Sequence, residues 1–211
     1  MDDASLAATR RGLHAVAELV LAGPQHHSHG TIRLRVSTGG FATVAGTDLR
    51  VDGTYLVTPD QRLDMAGRSC TDLASACGLT THTLSDVYGD ATDVGPDEIL
   101  ELDPTVAAWL AQCWTAGDAA LRRLVPTEEP VLWPEHFDVG VRIDDTNFGV
   151  SPGDDSIPEP YAYVGPPTPR HGPFWNQPFG AARPMHHLDH ARPDTVLAFF
   201  TEARHRIATG E

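Results

Sequence analysis

The sequence predicts an α+β fold: antiparallel strands in two groups, with helices at the N-terminus, the centre and the C-terminus. Three patterns predict it. Apolar residues recur at three- and four-residue steps in three separate stretches. Short runs elsewhere alternate apolar with polar residues. A proline- and glutamate-rich run, residues 125–130, separates one strand group from the other.

In chain order, Leu6, Leu13, Val16, Ala17, Val20 and Leu21 mark an amphipathic helix from Ser5 to Leu21, with Gly23-Pro24 as its predicted end. Ile32, Leu34 and Val36 alternate with Arg33 and Arg35. Phe41–Ala45, Leu49–Val51 and Tyr55–Val57 then continue between glycine-containing turns, as in an antiparallel meander. Ser69 is a candidate N-cap for a helix over 71–76, and Asp103 caps a second helix that has Pro104 in its first turn and reaches Leu124. After the 125–130 run, Val139, Val141 and Ile143 continue an alternation that begins at Phe137. Phe148–Val150 answers it across an Asp144-Asp145-Thr146 turn, and Tyr161–Val164 adds a third strand. Residues 165–184 hold too much proline and glycine for regular structure, yet Phe174, Trp175 and Phe179 predict an ordered loop. Pro193 opens the last helix, expected over 194–208. The 211 residues suit a single compact domain, with a lobe boundary near 125–130 that separates 1–126 from 127–211.

Composition excludes several chemistries. A net charge of -14 repels phosphate backbones, so nucleic acid is not the expected partner. Every basic residue other than histidine is arginine. Without lysine, a Schiff base, a pyridoxal phosphate anchor and a phosphate-loop lysine are all ruled out. No apolar run reaches the roughly 18 residues of a membrane span and none reads as a signal peptide, so the expected setting is soluble and cytoplasmic. Cys70, Cys77 and Cys113 are odd in number and widely spaced, which fits buried apolar residues better than a disulfide framework. The sequence carries no signal for oligomeric state, and it shows no nucleophile elbow, dinucleotide fingerprint or phosphate loop.

The chemistry-bearing residues concentrate between Trp133 and His190. Histidines cluster at His26, His27 and His29 and again at His186, His187 and His190. On a helical turn, His186 and His190 would aim at one divalent ion such as zinc. The box Trp133-Pro134-Glu135-His136-Phe137-Asp138 offers parts for acid–base work. If the box is extended, His136 and Asp138 share a face. Aromatic walls at Trp133, Tyr161, Tyr163 and Trp175, with His136, are what small-molecule pockets are lined with. Arg183 and Arg170 flank the loop as candidates for gripping a carboxylate or phosphate. Asp144, Asp145, Asn147, Asp154, Asp155 and Glu159 offer oxygen ligands of the kind calcium or magnesium takes, but they lack calcium-loop spacing and suit turns and a solvated loop better.

The box, followed by Asn147-Phe148-Gly149, Pro152-Gly153-Asp154, Glu159-Pro160-Tyr161 and Tyr163-Val164-Gly165-Pro166, resembles a group of uncharacterised actinobacterial proteins over roughly the last 80 residues. The resemblance implies a bacterial cytoplasmic origin and assigns no catalytic residue. Two functional expectations follow. One is a small-molecule-binding protein or enzyme using Trp133, His136, Tyr161, Tyr163, Trp175 and Arg183, with a metal at His186 and His190. The other is a non-catalytic interaction or structural protein in which the aromatic loop is a partner surface or core.

Overall fold

The computed structural model describes residues 2–89 and 91–210. The fold is α+β, and its strands pair antiparallel. The chain divides into two compact units: residues 1–112 with 132–137, and residues 113–131 with 138–211. Among the described residues no helix is long and apolar enough to cross a membrane.

The first unit opens on α1 (Asp3–Ala15), N-capped by the Asp2 side chain on the Ser5 N–H. Gly23-Pro24 does not end this helix, as the sequence pattern predicts. The chain passes instead through a π-helical segment, Val16–Ala22, into α2 (Gly23–His29), which stops at left-handed Gly30. The physical reason is local. In the wider π spacing the Gly23 N–H reaches the carbonyl of Glu18. Pro24 has no N–H to give, and the Leu19 carbonyl accepts from the His82 N–H at 3.3 Å instead. The whole π segment is buried and packs on β2 and α3.

The meander follows as β1 (Leu34–Ser37), β2 (Gly40–Thr43), β3 (Arg50–Asp52) and β4 (Tyr55–Val57), extended by an unforeseen short strand, β5 (Arg62–Asp64). Ser69 caps α3 (Cys70–Ala76), as read from sequence, and Asp72 answers it to complete a reciprocal capping box. The Asp103 carboxylate accepts from Thr105 and Val106 at 2.7 and 3.0 Å and caps α4 (Pro104–Leu124). This helix contributes its residues to Gln112 to the first unit and the rest to the second. A last strand, β6 (Val131–Trp133), pairs Leu132 with Leu34 of β1, so the first unit's strands run in the order β6-β1-β2-β3-β4-β5.

In the second unit β7 (Asp138–Ile143) and β8 (Thr146–Ser151) form the expected hairpin. Ile143 faces Thr146, and Asp144 and Asp145 both have positive φ, 47° and 61°, the handedness a two-residue hairpin turn needs. Next comes β9 (Tyr161–Gly165). The stretch read as loop alone then yields β10 (Ala181–Pro184), paired to β9 with Ala182 opposite Tyr163. Its outer edge is covered by one side chain: the Asn176 amide donates to the Ala182 carbonyl and accepts from its N–H, at 3.2 and 2.9 Å. The inner face of the strands meets α5 (Pro193–Thr209), where Phe148 and Phe200 make an edge-to-face contact at 5.9 Å.

Candidate functional site

The Trp133–Asp138 box is not extended. Residues 134–137 form a turn, and Phe137 takes φ 52°, so the side-chain alternation starts afresh at Asp138. Phe137 consequently leaves the strand pattern and is buried in the first unit, stacked on His14 at 5.2 Å and edge-on to Phe41 at 5.4 Å. Trp133 stays partly exposed with the Arg33 guanidinium 6.0 Å from its ring centroid, and His136 is exposed on the turn.

Under that turn lies a polar group which sequence reasoning missed. Glu18, on the π segment, is fully buried and accepts from the backbone N–H groups of Thr92 at 2.8 Å and Leu84 at 3.4 Å. His14 stands 3.9 Å from the same carboxylate, and its Nε2 lies 2.6 Å from the Pro134 carbonyl, which makes Nε2 the donor nitrogen. The only available signal was a single charge inside the apolar run Val16–Ala22. Burial lowers the His14 pKa, opposed by the Pro134 hydrogen bond and the charge of Glu18. It also raises that of the Tyr88 phenol, which the Glu18 carboxylate raises further.

The sign of the His14 effect gives a prediction. An unfolded His14 takes up its proton near the ordinary 6.5, while the folded one does so only at lower pH. Between those values the unfolded state holds more protons, so stability falls as pH drops below 6.5 and levels off at the folded pKa. Urea midpoints measured from about pH 7.5 to about pH 5 should decline, with a shallower slope in His14→Gln. Equal slopes in the two proteins would remove His14 as a cause.

In the second unit Tyr161 and Tyr163 share one face of β9 with Asp138, Gly140, Gly149 and Ser151. The Tyr163 hydroxyl donates to the buried Asp138 carboxylate, and Tyr161 donates to Asp154. Burial followed by the Asp138 charge holds the Tyr163 pKa well above the usual tyrosine value, so it remains a donor. Its ring lies directly over Gly149, where an added Cβ would stand 2.6 Å from the hydroxyl oxygen. Gly149→Ala should therefore cost about 2 kcal/mol by overpacking, and much less in a Tyr163→Ala background. A double-mutant cycle by chemical denaturation checks this, and additive costs would contradict it.

Arg183 points the other way. It faces Ala162 across the β9–β10 ladder and so belongs to the face opposite the tyrosines. Its guanidinium lies 5.2 Å from the Phe174 ring and 5.6 Å from that of Phe199. Phe174 meets Trp175 edge-on at 4.9 Å, and Arg170 lies 5.4 Å from the Trp175 centroid. The six residues proposed from sequence as one pocket are thus distributed: Trp133 and His136 in the first unit, the tyrosines on one face of the second, Trp175 and Arg183 together on the other. Phe199, which sequence reasoning assigned no role, completes that last group.

No family model, curated protein or solved structure matches the chain.

The histidines do not form the chelating turn their spacing suggests. Residues 185–187 make a 3₁₀ turn, and Asp189, His190 and Ala191 all have positive φ, so His186 and His190 do not lie one helical turn apart. His186 instead pairs through Nδ1 with Glu159 at 2.5 Å, and its ring lies tilted against that of His187, 4.0 Å between centroids. His27 stacks on His82 at 4.1 Å. Among the described residues no three His, Cys, Asp or Glu side chains are placed to hold a metal ion. Burial pushes the Cys70 thiol up to about 12 and raises that of Cys113, as for inert core cysteines.

Proposed function

We propose that the protein binds a small organic molecule on its second unit, beside Arg183 and the loop carrying Phe174 and Trp175. One observation carries the reading. The half-buried Arg183 guanidinium is held by two aromatic rings, makes a single hydrogen bond, to its own chain at the Ala182 carbonyl, and has no carboxylate partner among the described residues. An arginine oriented by aromatic faces, with donors to spare, is suited to recognition. Its neighbours are committed to the fold: Arg206 is paired with Glu202, and Arg170 donates to the last-turn carbonyls of α5.

Ligand-observed NMR on the full chain with a fragment library tests this. Fragments with an aromatic body and an acceptor group should bind, Arg183→Met should weaken them by about tenfold or more, and Tyr163→Phe, on the opposite face, should leave them unchanged. Absence of any binder, or binders insensitive to Arg183→Met, would overturn the proposal and leave the aromatic loop as core.

A further inference from the structure

We infer that the ligand of the Arg183 site is a planar organic monocarboxylate, an inference that rests on the small-molecule reading above. Three features of the site select this class. The first is the fork that remains. Nη1 is occupied by the Ala182 carbonyl, which leaves Nε and Nη2 along one edge of the guanidinium. Two parallel N–H donors in a plane match the two oxygens of a carboxylate.

The second is charge. A phosphate dianion would call for a second cation, yet Arg206 and Arg170, the guanidiniums set against Phe174 and Trp175, are already engaged. Arg206 donates Nε and Nη2 to Glu202, and Arg170 directs Nη1 and Nη2 at the carbonyls of Arg206 and Ile207. The chain as a whole carries -14, which opposes a further doubly charged group. A single negative charge on a single guanidinium is the match.

The third is the body. Phe174 and Phe199, 5.6 Å apart, both lie against the Arg183 guanidinium with Trp175 edge-on to Phe174, so whatever meets the fork stands beside the little ring surface that these largely buried residues expose. A flat aryl or unsaturated group attached to the carboxylate fits that surface. Free formate or acetate would use the fork and forgo the rings.

The experiment is calorimetric titration of the full chain with four probes: benzoate, its neutral isostere benzamide, phenyl phosphate and acetate. Benzoate is expected to bind at least about tenfold more tightly than each of the other three, and Arg183→Lys, which keeps the charge but not the fork, to lose most of that margin. Benzamide binding as well as benzoate would overturn the carboxylate inference while leaving the small-molecule reading in place. Tighter phenyl phosphate would overturn it in favour of a phosphate ester. Failure of all four to bind, while other fragments bind in an Arg183-dependent way, would sink the inference alone. A wild-type margin unchanged in Arg183→Lys would show that the fork is not used.

Discussion

Gly23→Ala is expected to leave little folded protein. A Cβ at this position would stand 1.9 Å from the His82 carbonyl oxygen, 2.8 Å from its carbon and 2.9 Å from the Glu18 carbonyl oxygen. All three atoms are backbone, so no rotamer change relieves the overlap. The segment at His82 is also tied to the helix by its own N–H on the Leu19 carbonyl. Overpacking a core usually costs about 1–3 kcal/mol, and a backbone-on-backbone clash lies at or above the top of that range. Against a typical total of about 5–15 kcal/mol, this is a large share of stability. Urea unfolding followed by circular dichroism would show a midpoint much reduced or a chain unfolded without denaturant. A midpoint equal to wild type would contradict the close crossing of His82 over Gly23.

Glu18→Ala is expected to cost about 3 kcal/mol, by a different route. The Thr92 and Leu84 N–H groups would lose their acceptor in a site where the Glu18 side chain is fully enclosed. An orphaned buried donor carries its full desolvation cost, and the shortened side chain leaves a void beside it. Glu18→Gln keeps one acceptor oxygen and should cost less than half as much. Hydrogen exchange separates this from general weakening: the Thr92 amide should lose protection before those of β1 and β2. Uniform acceleration across the first unit would show that Glu18 merely fills space.

The elements that could be read in advance are those with local causes. Ser69 with Asp72, Asp103 with Pro104, and the Asp144-Asp145 turn each carry their own cap or turn chemistry within four residues. Gly23-Pro24 misled because its helix-ending logic is also local, while the π segment that accommodates it depends on the Leu19 carbonyl meeting His82. Strand β10 was invisible because its pairing is imposed by β9 and its edge is sealed by Asn176.

Within the site, composition pointed to Trp175 and Arg183 but could not separate them from Tyr161 and Tyr163. Which face a side chain takes follows from the register Arg183–Ala162, and that register is a property of two strands. The His14 contact to Pro134 spans 120 positions and leaves no trace in either neighbourhood.

Asn176 has a consequence for the thermodynamics of recognition. Because its amide completes the β10 hydrogen-bond ladder, the loop bearing Trp175 is already fixed to the sheet before any ligand arrives. Under the binding proposed at Arg183, association would require little additional ordering of the chain, affinity would report mainly on the contacts themselves, and dissociation would not wait for a loop to open.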